Sequence, residues 1–128
     1  MEKIVFLYKQ ASVPNEIIEA AEQKTPPDFE LILCEEKMSS KERRQIVSEA
    51  DYLMLYTVGF DDVDVAKKAK LMQILSAGYD RLDVHSLKSA GIPLATNGGA
   101  NAPTVAEHTI LLILALYRKL PLHHISLK

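Results

Sequence analysis

Two turns hold the residues best able to do chemistry. Ser76-Ala77-Gly78-Tyr79-Asp80 and Asn97-Gly98-Gly99-Ala100-Asn101 each follow a short apolar run. A glycine directly after a buried strand lets backbone N–H groups converge with no Cβ in the way, forming a small anion nest. At the first turn those groups would belong to Ala77 and Gly78, and a carboxylate has the size and charge for two such donors. A second reading stays open, and the residues alone favour it: Gly78 only permits a tight turn. Asp80 reads as a cap of the following turn. Asn101 reads as the N-cap of a long helix with Pro103 in its first turn, although Thr104 and Glu107 offer an alternative capping box. Thr57 and Val58 follow another apolar run and could shape a pocket beside the first turn. Glu107 and His108 do not form an acid/base pair, because adjacent helix residues point about 100° apart. His123 and His124 would bind metal only by accident, so no metal site is expected.

These turns need elements to position them. Lys3 to Tyr8 is a nearly continuous apolar run, the pattern of a strand buried on both faces. Pro14 opens a helix whose Ile17, Ile18 and Ala21 share a face, and Pro26-Pro27 ends it. Phe29 to Cys34 alternates, which suggests an edge strand. Ser39-Ser40-Lys41-Glu42 contains a capping box for a helix carrying Ile46 and Val47. Tyr52 to Tyr56 is a continuous apolar strand, hence central. Asp61-Asp62 should start a short helix running through Ala69. Leu71 to Leu75 is strand four. Leu82 to Ala90 is the next helix, with Asp83 as N-cap and Gly91 just past its end. Ile92 to Ala95 is strand five, and a long apolar helix runs from Ala102 to Lys119.

Strands alternating with helices over short connections predict an α/β fold with a parallel sheet between helical layers. Right-handed crossovers make this a flavodoxin-like three-layer sandwich of five strands in order 2-1-3-4-5. In that architecture ligands bind beyond the carboxyl ends of the strands, where both turns fall. Residues 1–100 are expected to form this domain, and residues 101–128 a long C-terminal interdomain helix and the start of whatever follows.

Composition removes several function classes. A net charge of −2 with scattered basic residues gives no footprint for nucleic acid. The longest apolar stretch, Thr109 to Leu116, is well short of the ~20 residues a membrane span needs. A strand begins within three residues of the start, leaving no room for a signal peptide, so the cytoplasm is the expected compartment. Cys34 is the single cysteine; it reads as a small core residue, and no disulfide can form within the chain.

The order of elements, together with SAGYD, AGIPLA and GANAPTVAEHT leading into an apolar helix, resembles the D-isomer-specific 2-hydroxyacid dehydrogenases. That family includes phosphoglycerate, glyoxylate and formate dehydrogenases. The resemblance implies that the amides of Ala77 and Gly78, with Ser76 beside them, hold the substrate carboxylate. It implies that the Asn101 amide polarises the substrate beside a nicotinamide ring, and that Val105 lines the edge of that ring. Gly98 stands where the family has proline. The family's GxGxxG nucleotide-binding segment and its catalytic arginine, acidic partner and histidine have no counterpart in these 128 residues. The resemblance therefore implies an NAD- or NADP-dependent 2-hydroxyacid dehydrogenase of which this chain is the substrate-binding portion. The chain alone is expected to be inactive, to bind no dinucleotide and to hold a small carboxylate weakly. It is also expected to form a homodimer through residues 102–119, since from Ile110 to Tyr117 that helix is apolar nearly all round.

Two other classes share the fold. A response-regulator receiver needs acidic residues after strand one, where this chain has Lys9-Gln10-Ala11, and an aspartate ending strand three, where it has Thr57. A flavodoxin needs a Thr/Ser/Gly-rich phosphate loop, which Gln10 to Pro14 is not. A non-catalytic remnant that acts only as a dimerising or binding module remains as the alternative.

Overall fold

The computed structural model describes residues 1–127. Five strands and five helices follow one another as β1 (Glu2–Tyr8), α1 (Asn15–Lys24), β2 (Phe29–Glu35), α2 (Ser40–Ser48), β3 (Tyr52–Tyr56), β4 (Leu71–Ile74), α3 (Val84–Ser89), β5 (Leu94–Ala95), α4 (Ala102–Tyr117) and α5 (Leu120–Ser126). The strands form a single parallel sheet of order β2-β1-β3-β4-β5. Ile4 to Tyr8 of β1 pair in step with Tyr52 to Tyr56 of β3, so alternate residues of both strands point to the same face. Val5, Leu7, Leu53, Leu55 and Met72 form one buried layer with Val47 of α2 and Leu87 of α3. Phe6 and Tyr8 point the other way, onto Val13 and the Ile17, Ile18 and Ala21 stripe of α1. This two-sided burial is why β1 and β3 read as unbroken apolar runs.

Local signals set most of the boundaries. Ser39 Oγ accepts from the Glu42 backbone N–H at 3.4 Å and donates to the Glu42 carboxylate at 2.5 Å, closing the start of α2. Asp83 caps α3 by accepting from Ser86 N at 3.1 Å and Ser86 Oγ at 2.6 Å; these bonds hold its carboxyl below the usual carboxylate range. Gly91, with φ of 72°, takes the left-handed conformation that ends that helix.

Four expectations need correction. No helix forms between Asp61 and Ala69, where the chain makes successive turns. Asp62 is buried, and its carboxylate accepts from Arg43 Nε at 2.6 Å and Arg44 Nη1 at 3.1 Å. Its carbonyl accepts from both Val65 N and Ala66 N. The ion pairs fix this segment from outside, while Val63, Val65 and three aspartates give it little helix propensity of its own. α3 begins at Val84 rather than Leu82, because the Asp83 cap sits immediately before it. β5 is only two residues long. α4 stops at Tyr117, and Lys119 takes a left-handed φ of 53°. Pro121 then lies in the first turn of α5, a helix not foreseen in the sequence, and His123 and His124 fall in its last turn.

The chain separates into two compact units, Met1–Asn97 and the residues from Gly98 on. In the second, Ile110 to Leu114 of α4 are each more than half exposed. Among the described residues, no helix is long and apolar enough to cross a membrane.

Candidate functional site

The parallel sheet places the carboxyl ends of β3 and β4 side by side, and the loops leaving them enclose a cavity of about 260 Å³. Thr57 and Val58 form one wall, Ser76 and Gly78 the other, and Leu55 and Ile74 the apolar floor. Four of the residues singled out in the sequence thus meet at one place. Ala77 lies between Ser76 and Gly78 but outside the lining itself. Asn101 and Val105 belong to the second unit. Asn101 occupies the N-cap position of α4, yet its side chain makes no capping hydrogen bond, and the amide is uncommitted. Thr104 and Glu107 lie within the helix rather than at its start.

The backbone of the β4 turn is held at its edges and free in its middle. Leu75 N donates to Leu55 O at 2.9 Å, and Ser76 O accepts from Asn97 N at 3.0 Å. Ser76 Oγ donates to Gly78 O at 3.3 Å. Between these anchors the N–H groups of Ala77 and Gly78 find no acceptor among the described residues, and both residues are exposed. Gly78 does not adopt a left-handed backbone, so its φ is open to other residues. A Cβ placed there would lie 3.4 Å from Asp80 Oδ2, an ordinary contact. Neither conformation nor internal packing demands glycine at this position. What remains is access to the adjacent N–H groups from outside. The capping role expected of Asp80 is absent: its side chain makes no capping bond and stands over Gly78 at the cavity wall.

Across the cavity, Thr57 has a φ of 56°. A β-branched residue in the left-handed region is uncommon and costs about 1–3 kcal/mol. Its Oγ1 is buried and has no hydrogen-bond partner. Sequence reasoning names Tyr79 only as part of its turn and passes over Arg81; both also line the cavity. Their only signal is proximity to Gly78. Arg81 Nη1 donates to Thr57 O at 2.9 Å and bridges the two loops.

Of the candidate residues, only Val58 lines either of two further hollows. Where the strand order reverses between β1 and β3, a cavity of about 140 Å³ is lined by Tyr8, Cys34, Arg43 and Asp62, among others. Burial pushes the Cys34 thiol pKa up, as for an inert core cysteine. An open groove of about 710 Å³ runs between the 60–67 loop and α3. Among the described residues, no cluster of three or more His, Cys, Asp or Glu could hold a metal ion.

The fold is thus a five-stranded parallel α/β domain, the class in which ligands bind beyond the carboxyl ends of the strands, where the Ala77 and Gly78 N–H groups lie. The chain belongs to the D-isomer specific 2-hydroxyacid dehydrogenase family: residues 5–118 match its catalytic domain. A hydroxypyruvate reductase from Thermotoga maritima is 32% identical over 102 residues, covering 77% of this chain and 33% of that protein. A D-3-phosphoglycerate dehydrogenase from Archaeoglobus fulgidus is 30% identical over 87 residues, covering 66% of this chain and 16% of that protein. The chain therefore spans a third or less of the length of these relatives. Among solved structures, the NAD+-bound 3-phosphoglycerate dehydrogenase of Entamoeba histolytica superimposes with a TM-score of 0.70 at 22% identity, over 92% of this chain and 40% of that one. That likeness is one of fold.

Proposed function

We propose that this chain is the substrate-binding domain of an NAD(P)-dependent oxidoreductase acting on the CH–OH group of a small 2-hydroxy acid. The observation that carries the reading is the pair of uncommitted, exposed N–H groups of Ala77 and Gly78, beside a small cavity at the carboxyl ends of parallel strands. The substrate carboxylate accepts from those two groups. Ser76, Thr57 and Val58 bound the space around its hydroxyl-bearing carbon, and Asn101, in the second unit, matches the family asparagine whose amide polarises the substrate. Val105 contributes to the edge of the nicotinamide site.

A bound nicotinamide would supply or accept the hydride. The residues of this chain do not fit a dinucleotide, however. The turn from β1 into α1, Lys9 to Pro14, contains no glycine, and no GxGxxG occurs in the sequence. In a complete enzyme the cofactor site and the proton-transferring side chains would come from outside these 128 residues. Two charge-assisted bonds of about 1.5–3 kcal/mol each, less the ordering costs of binding, correspond to millimolar affinity at best. The second reading, a dimerising module without catalysis, draws on the exposed apolar residues of α4.

Titration with D-glycerate, followed by amide shifts in 1H–15N spectra, tests the proposal. Ala77 and Gly78 should move first, while calorimetry with NAD should show no micromolar binding. Shifts confined to another loop would overturn the carboxylate assignment.

A further inference from the structure

We infer that Arg81 is a positioning residue, a latch that holds Thr57 in its left-handed conformation and so sets the shape of the cavity opposite the Ala77-Gly78 amides. The inference rests on the carboxylate reading of that cavity and extends it to a residue which that reading does not use. Thr57 is the reason a latch is needed. Left to itself, a threonine prefers extended φ values, where neither its Cβ branch nor its carbonyl is crowded. Here φ is 56°, directly after β3, and the buried Oγ1 has gained no hydrogen bond in return. The strain is therefore not relieved by the residue's own side chain. The bond that does constrain it comes from Arg81 Nη1, 2.9 Å from the Thr57 carbonyl and 24 positions along the chain. A second approach lies alongside it: a Cβ placed on Gly59 would be 3.5 Å from the Arg81 carbonyl, so the backbones of the two loops run close together.

Arg81 suits this role for three reasons. It follows the β4 turn, so it ties the wall carrying Thr57 to the wall carrying Gly78. Its planar guanidinium carries five N–H donors in a fixed fork, so holding the Thr57 carbonyl occupies only one of them. Among the described residues it pairs with no carboxylate, so its charge stays available near Asp80, whose own negative charge would otherwise oppose an incoming carboxylate. One hydrogen bond thereby couples the backbone of one wall to the electrostatics of the other.

The experiment compares the full 128-residue chain with Arg81→Ala, Arg81→Lys and Thr57→Gly. The Thr57 φ is read in ligand-free protein from backbone scalar couplings, and D-glycerate affinity from amide shifts. In Arg81→Ala, Thr57 should leave the left-handed region, and D-glycerate should bind about ten-fold more weakly, the loss of one bond to a charged group. Arg81→Lys, which keeps a charged donor, should recover most of both. Thr57→Gly, which takes left-handed φ without strain, should reduce the dependence on Arg81 when the two changes are combined. If Arg81→Ala leaves the Thr57 φ and the affinity unchanged while the wild type binds, the latch is overturned and the carboxylate reading stands. If the wild type gives no shift at Ala77 or Gly78, the carboxylate reading fails, and with it any role for Arg81 in binding.

Discussion

Replacing Gly78 with alanine separates what the β4 turn does for folding from what it does for a ligand. Gly78 is not left-handed, and the new Cβ would meet only Asp80 Oδ2, at 3.4 Å. An unstrained Gly→Ala change stabilises by about 0.4–1 kcal/mol, because the unfolded chain loses freedom. For a domain of this size that is a rise of a few degrees in Tm. Binding should move the other way. A carboxylate oxygen about 2.8 Å from an amide nitrogen must pass close to the α-carbon, where the methyl group now stands. Losing one of two charge-assisted bonds, about 1.5–3 kcal/mol, weakens binding roughly ten- to a hundred-fold. Urea melts with and without D-glycerate read both effects. A variant that is no less stable but binds poorly fits the reasoning. Unchanged affinity would mean that Gly78 N–H is not a ligand, and a large loss of stability would mean that the turn itself needs glycine.

Three further outcomes follow from other parts of the chain. Asp51, buried at the amino ends of the strands, accepts from Lys3 N at 2.9 Å and Lys68 Nζ at 3.1 Å; the Lys3 backbone bond is the main cause of its lowered pKa. A depressed folded-state pKa gives stability that is present above the unfolded value and lost as pH falls through the folded one, so Asp51→Asn should flatten the acid limb of a stability–pH profile. Asn101→Ala should leave urea stability within about 0.5 kcal/mol, since no capping bond is lost, whereas a drop of about 1 kcal/mol or more would reveal a cap. Light scattering at tens of micromolar should show a dimer, because leaving several α4 leucines and isoleucines in water forgoes about 1.5–3 kcal/mol apiece; Leu111→Glu with Leu114→Glu should give a monomer, and a dimer unaffected by both would place the interface elsewhere.

The strand order was legible because burial writes itself into sequence period. β1 and β3, covered on both faces, are continuous runs, and β2 alternates at the edge. Caps at Ser39 and Asp83 and the left-handed Gly91 were equally readable, since each depends on residues within a turn of itself. The 61–69 segment was misread because its conformation is set by Arg43 and Arg44, 18 to 20 residues away. The candidate site was half legible. Ser76, Gly78, Thr57 and Val58 could be named from their places after strands, but no local pattern announces a left-handed threonine or the arginine that holds it. Gly78 could be picked out for its missing Cβ, but that its backbone is not left-handed could not be read from the sequence.

The sheet's two margins are unequal. β5 pairs over two residues, whereas β2 presents seven and pairs on one side only within the sheet. An open strand of that length can recruit a like strand from another chain, the first step toward ordered aggregates. Phe29, Leu31, Ile32 and Leu33 supply the apolar content such stacking favours. Glu30 and Glu35 interrupt and bound that run with negative charge, so stacking copies in register would line up like charges at every layer. These two glutamates act as gatekeepers, and loss of either would expose this margin to fibril growth before it cost the folded domain much stability.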